Sequence, residues 1–274
     1  MQYVYKFSAM STPCELIIFE AQKSRADALA ESVVLEVKRL EKKYNYYNEN
    51  SFLSLINARK ERQLDQESKT LLTRAKQYYS LTEGIFDITM ATLKPLYSSE
   101  ISLSDLAEKK AELLPYVGCE HFEIKRDKII FDNAYTQIDL GGFVKEYAVD
   151  RAAQIIKKKK VKSALVNFGG DIYAIGKKPN GERFKIGIKD PANREKNSEY
   201  IEIENQALTT SASYERSYTI EKKQFSHIIS KEEYLQAPQS VTVISPTCVE
   251  SGVYSTALMI NPALKHKNRA IIVT

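Results

Sequence analysis

Tryptophan is absent from the 274 residues, and histidine, cysteine and methionine are scarce at three, three and four. The cysteines, Cys14, Cys119 and Cys248, are far apart and odd in number, which excludes a zinc knuckle or a disulfide framework and leaves buried or idle thiols. The histidines, His121, His227 and His266, are equally scattered. A histidine-built metal centre is therefore excluded, and any divalent cation would be a hard one held by oxygen. Long apolar runs are missing as well: no stretch nears the ~20 residues that cross a bilayer. The opening MQYVYKFSAMSTPCELIIFE shows neither the basic-then-apolar pattern of a signal peptide nor a lipobox. The chain as written reads as soluble and cytoplasmic, or periplasmic if a leader has been removed.

Charge of one sign is not in surplus either. The 40 Lys+Arg against 35 Asp+Glu give a net charge of +5, too mild to argue for a nucleic-acid partner. The densest basic run, Lys157 to Lys160, ends a predicted helix, where cations complement the dipole, and no aromatic stacking platform adjoins it. What is present is 43% hydrophobic residues, enough at this length to bury a core.

Periodicity distributes that apolar content. Residues 3 to 20 read as a β-hairpin broken at Ser11-Thr12-Pro13. Ala28, Leu29, Val33, Val34, Val37 and Leu40 recur at helical spacing from a Ser24 cap to about Tyr44. Further helices are expected over 52–57, 67–82 (ending before Gly84), 104–114, 143–160 and 253–259. A hairpin is expected over 122–131, and a strand over 136–140 that runs into Gly141-Gly142. Other strands are expected over 164–168, 172–175, 184–188, 200–203, 207–210, 225–229, 241–244 and 271–273. No repeat or long linker divides the chain, so the expectation is one α+β domain over residues 1–274, with helices on a largely antiparallel sheet.

Two glycine pairs stand out, Asp139-Leu140-Gly141-Gly142 opening a helix and Asn167-Phe168-Gly169-Gly170-Asp171 between strands. A strand that breaks at Gly-Gly and enters a helix exposes backbone N–H groups that suit a phosphate, although tight turns in a β-rich domain use the same residues. Each pair has a carboxylate beside it, and Lys145 lies one helical turn past Gly141. His227 sits in a strand pattern, where an imidazole is either structural or a general base near neutral pH.

The order of the motifs resembles the ApbE family of FAD:protein FMN transferases over nearly the whole chain. The pieces are Met10-Ser11-Thr12; YNENSFLSLIN at 47–57; TEGIFDIT at 82–89; IDLGGFVKEYAVD at 138–150; VNFGGD at 166–171; TSASYER at 210–216; His227-Ile228-Ile229; Ser240 to Ile244; and Ser255-Thr256-Ala257-Leu258. The resemblance implies a T-fold-like domain that binds FAD and, with Mg²⁺, transfers its FMN half to a threonine hydroxyl of a partner flavoprotein, releasing AMP. By position, Met10, Tyr47, Ile85, Phe86, Asp87, Asp139, Lys145 and Ile228 would contact the flavin nucleotide. Asp171, Ser211 and the Gly169-Gly170 turn would line the same cleft. His227 would be the base, and the carbonyl of Gly142 with Ser255 and Thr256 would hold the metal.

The chain departs from that pattern at 252, where Gly252 stands in place of an aspartate ligand, and at 146 and 212, where Glu146 and Ala212 replace glycines. The departures centre on the metal, so a non-catalytic flavin carrier and an FAD pyrophosphatase giving FMN and AMP stand as alternatives. Restoring Gly252→Asp is expected to recover Mg²⁺ binding.

Overall fold

A computed structural model describes the chain except residues 98–100, 194, 214–216, 222, 227–230 and 232–237. The elements in chain order are β1 (Gln2–Ala9), β2 (Thr12–Phe19), α1 (Lys23–Tyr44), α2 (Phe52–Asn57), α3 (Gln66–Leu81), a 3₁₀ helix (Ile88–Leu96), α4 (Leu103–Leu113), β3 (Phe122–Lys125) and β4 (Lys128–Phe131). They continue with α5 (Gly141–Lys158), β5 (Ala164–Phe168), β6 (Asp171–Ile175), β7 (Phe184–Lys189), β8 (Asn197–Ile203), β9 (Ala207–Ala212), β10 (Ser217–Ile220), β11 (Lys223–Ser226), β12 (Ser240–Ser245), α6 (Cys248–Ile260) and β13 (Arg269–Val273).

Seven strands form one sheet in the order β1-β2-β5-β6-β9-β12-β13, every neighbouring pair antiparallel. Alternation decides which face each residue covers. Leu16 and Ile18 of β2 and Val166 and Phe168 of β5 meet Val33, Val37 and Leu40 of α1 and Phe143, Val149 and Ala152 of α5 in one apolar layer. On the opposite face Ile172, Ala174, Leu208 and Ile244 pack against Ile186, Ile188, Ile201 and Ile203 of the β7–β8 hairpin. The central strands β6 and β12 are therefore buried at every position. Truncating the leucine, isoleucine or phenylalanine side chains among these to alanine opens a cavity worth about 2–5 kcal/mol.

Four local expectations need correction. The β1–β2 turn is Met10–Ser11, both at positive φ (51° and 57°), while Thr12 and Pro13 already pair in β2. Helix α1 begins after Gln22, which makes no side-chain cap, so Ser24 lies inside the first turn. Residues 136–140 form no regular element and join no sheet, and side chains take the place of a neighbouring strand: Asn57 donates to the Ile138 carbonyl (2.8 Å) and accepts its N–H (2.9 Å), and Thr92 Oγ1 accepts the Gln137 N–H (3.0 Å). The late helix runs over the whole of α6, capped by Thr247. The expected 225–229 strand is β11 to Ser226, and its remainder lies outside the described residues.

Candidate functional site

Two tight turns at one end of the sheet interlock. Gly169 (φ 63°) takes a conformation that few other residues adopt, its N–H donates to the Pro13 carbonyl (2.9 Å), and a Cβ there would stand 1.9 Å from Thr12 Oγ1. This contact seats the β5–β6 turn on the β1–β2 turn. Holding Met10 and Ser11 left-handed costs conformational energy that a surface hairpin could avoid with Asn-Gly. The Met10 N–H is secured by the Glu41 carboxylate of α1.

Asp171, 2% exposed, opens β6 and faces Lys145 of α5, Oδ2 to Nζ 2.7 Å. Burial drives the Asp171 carboxyl up, and the Lys145 ammonium opposes that shift without cancelling it. The same pairing, with the nearby Glu146, lifts the Lys145 ammonium above its usual range although burial alone would lower it. At the other end of this cluster Ser211 of β9 shares hydrogen bonds with Ser255 (2.8 Å) and Thr256 (3.4 Å) of α6, and the Ser255 hydroxyl donates to the Gly252 carbonyl (3.1 Å).

Helices α5 and α6 lie antiparallel in register. Asp150 accepts the Cys248 (2.7 Å) and Val249 (3.1 Å) N–H groups at the start of α6, and Glu146, one turn back on α5, covers Gly252, one turn on along α6. One more turn carries the register from Glu146 to Gly142 and from Gly252 to Ser255–Thr256. Gly142 has ψ 20°, which rotates its carbonyl about 60° from the helical direction.

The second half of the site is built on the loop before the 3₁₀ helix. Phe86 is buried against Phe143 (5.9 Å between centroids), and its N–H donates to Thr82 Oγ1 (3.0 Å). Ile85 packs beside Tyr254 and Val241. Asp87 caps the 3₁₀ helix through Oδ1 on the Thr89 N–H (2.8 Å), while Oδ2 makes no hydrogen bond and faces Lys231 at 3.6 Å. Burial raises its carboxyl, and the Thr89 bonds and Lys231 offset only part of that. The Asp139 N–H donates to the Ile88 carbonyl (2.9 Å), which ties the two segments together. The Asp139 carboxylate takes the Gly141 N–H (2.8 Å) and an ion pair with Lys94, whose ammonium also lies over the Tyr46 and Tyr47 rings at 4.5 and 4.7 Å. Tyr47 is 79% exposed, so its ring stands free on one face.

A sequence profile of the ApbE family matches residues 10–270. The chain belongs to the ApbE family. An FAD:protein FMN transferase from Chlamydia pneumoniae is 31% identical over 229 residues, spanning 79% of this chain and 71% of the relative. One from Klebsiella pneumoniae is 23% identical over 92% of this chain and 76% of its own. Among solved structures, the ApbE protein of Thermotoga maritima superposes with a TM-score of 0.85 at 28% identity, covering 95% of this chain and 87% of that one. The flavin transferase ApbE from Vibrio cholerae shares the fold with a TM-score of 0.83 at 20% identity, over all of this chain and 97% of the other.

Of the residues singled out from the sequence, the structure gathers Met10, Lys145 and Asp171 at the interlocked turns, and Ser211, Ser255 and Thr256 on the facing strand and helix. Ile85, Phe86, Asp87, Asp139 and Tyr47 line the second half, and Gly142 stands at the α5 N-terminus. His227 and Ile228 lie outside the described residues. Sequence reasoning missed Lys94, Glu41 and the bridging role of Asn57. Asn57 ended a motif quoted for the family resemblance, and a polar residue closing a short amphipathic helix was the signal available. The three cysteines are free and buried, as their scatter suggested. No helix among the described residues is long and apolar enough to cross a membrane.

Proposed function

We propose that the protein is an FAD:protein FMN transferase that uses Mg²⁺ to move the FMN half of FAD onto a threonine hydroxyl of a partner flavoprotein, with release of AMP. The observation that carries this reading is the convergence, in an ApbE-family fold, of two glycine turns, one buried Lys–Asp pair and a hydroxyl cluster at the same end of the sheet. Lys145 and the α5 N-terminal amides supply positive charge to a pyrophosphate, and Met10, Phe86 and the open face of Tyr47 supply apolar surface to an isoalloxazine ring. Asp87 Oδ2, a buried acceptor without a donor, suits a heterocyclic N–H of the nucleotide.

The donors around Gly252 are mostly oxygen, the Ser211, Ser255 and Thr256 hydroxyls, the rotated Gly142 carbonyl and buried carboxylates, with the Cys248 thiol one turn before. Among the described residues no group of three or more His, Cys, Asp or Glu is placed to hold a metal, so a hard cation here would have to take most of its shell from carbonyl, hydroxyl and water oxygens. Mg²⁺, when bound, neutralises charge on the phosphoryl oxygens as the pyrophosphate breaks. Asp171 keeps Lys145 charged and oriented beside that site.

Incubation with FAD, Mg²⁺ and an acceptor flavoprotein domain should leave a fluorescent band that survives denaturing electrophoresis and vanishes when the target threonine becomes valine. Bound FAD with no adduct at saturating Mg²⁺ would overturn the reading. Release of FMN and AMP without acceptor would replace it with pyrophosphatase activity.

A further inference from the structure

The two departures at 146 and 252 meet in space. A Cβ built on Gly252 would lie 2.5 Å from Glu146 Cγ, 3.0 Å from its Cδ and 3.1 Å from Oε1. An aspartate at 252 would displace the Glu146 side chain from this place, so the glycine on α6 and the glutamate on α5 are spatially complementary. The expectation that Gly252→Asp alone would recover a metal site meets this contact, since Glu146 occupies the space that side chain would enter.

The carboxylate at 146 is not spent on structure. Glu146 is 6% exposed, and its Oε2 makes no hydrogen bond, whereas the neighbouring buried Asp150 caps α6 with both oxygens. Burying an acceptor with no donor is costly unless an occupant repays it. Oxygen dominates the surroundings: Gly142 lies one turn before on α5, Ser255 one turn beyond Gly252 on α6, and Asp171 faces Glu146 from the sheet end, with the Lys145 ammonium and the Cys248 thiol beside them. We infer that Glu146 supplies the carboxylate oxygen to a divalent cation between α5 and α6, in place of the side chain missing at 252.

This inference rests on the Mg²⁺-dependent reading above, and its test is separable from it. Mn²⁺, counted by loss of its free-ion EPR signal with and without FAD, reports binding without turnover. Wild type is expected to bind it, and Glu146→Gln to bind at least about tenfold more weakly. Glu146→Gly should match Glu146→Gln, and Glu146→Gly/Gly252→Asp should recover most of the affinity. Gly252→Asp alone should lower the urea midpoint and bind no better than wild type. Glu146→Gln is nearly isosteric and removes a buried charge, so its urea midpoint should stay level or rise, and it decides the question even if the double variant fails to fold. Unchanged Mn²⁺ affinity in Glu146→Gln overturns the inference, because a merely protonated, buried carboxyl would behave that way. Absence of Mn²⁺ binding by wild type plus FAD also overturns it. If wild type forms the flavin adduct while Glu146→Gln keeps its Mn²⁺ affinity, this inference falls and the transferase reading stands. If Mn²⁺ binding needs Glu146 and no adduct forms, the reverse holds.

Discussion

The outer face of α1, α3 and α5 and the cleft between α5, α6 and the sheet carry similar charges on opposite terms. Outside, Arg39 holds Glu67 through two bonds (2.6 and 2.9 Å) and Glu36 through two more (2.8 and 3.1 Å); Arg151 adds a second cation to Glu36 (3.0 Å), and Lys43 adds one to Glu67 (2.9 Å). Burial would raise the Glu67 carboxyl, but Arg39 and Lys43 outweigh it and hold it at about 2. Inside, Glu146 and Asp87 keep an oxygen without a hydrogen bond, and burial pushes the Glu146, Asp87, Asp171 and Asp150 carboxyls up, Asp150 to about 6. The half-buried Glu36 and Glu67 are fully paired, whereas Glu146 Oε2 and Asp87 Oδ2 are buried without a hydrogen bond, the pattern by which ligand-facing oxygens differ from structural ones.

The sharpest way to break the contrast is Lys145→Met, which strands the buried Asp171 carboxylate. It should lower stability by about 3 kcal/mol in urea titrations and abolish flavin transfer. A smaller loss with wild-type FAD affinity would mean that the pair is ordinary scaffold. Next comes Asn57→Ala: with both buried main-chain groups of Ile138 unpaired, about 2 kcal/mol should be lost. FAD affinity should fall with it, because Asp139 follows Ile138 directly; intact affinity would detach the 136–140 segment from the site.

Arg39→Ala tests the outer face. Its pairs are half-exposed and screened, so about 1 kcal/mol is expected, with Mn²⁺ and FAD binding unchanged. Altered ligand binding would sink the idea that the two regions are independent.

The last test is the pH profile of thermal stability. Asp150, raised from an ordinary 3.8 to about 6, contributes stability that is fully present below pH 3.8 and lost as pH rises through 6. Glu67, lowered from 4.5 to about 2, contributes stability present above pH 4.5 and lost as pH falls through 2. Asp150→Asn should flatten the limb between pH 4 and 6, and Glu67→Gln the limb below pH 4.5. Identical profiles for both variants and wild type would dissolve the contrast.

Much of this arrangement was legible in the chain itself. The apolar spacing from Ala28 to Leu40 marked α1, because a helix repeats its buried face every three to four residues whatever it packs on. The 52–57 helix and the 122–131 hairpin were legible for the same local reason. The 136–140 segment misled, because an extended apolar stretch looks alike whether its partners are another strand or the side chains of Asn57 and Thr92. The 3₁₀ helix at Ile88–Leu96 went unread, since its Pro95 argues against a helix and its start is set by the Asp87 carboxylate.

Composition and motif order by themselves determined that this is an α+β chain of the ApbE family with a glycine at 252. Only the tertiary structure decided that Glu146 stands against that glycine. Residues 146 and 252 are remote in sequence, and nothing local relates them. The antiparallel register of α5 on α6, imposed by burying both helices on one sheet face, brings a Cγ to where a Cβ would have been.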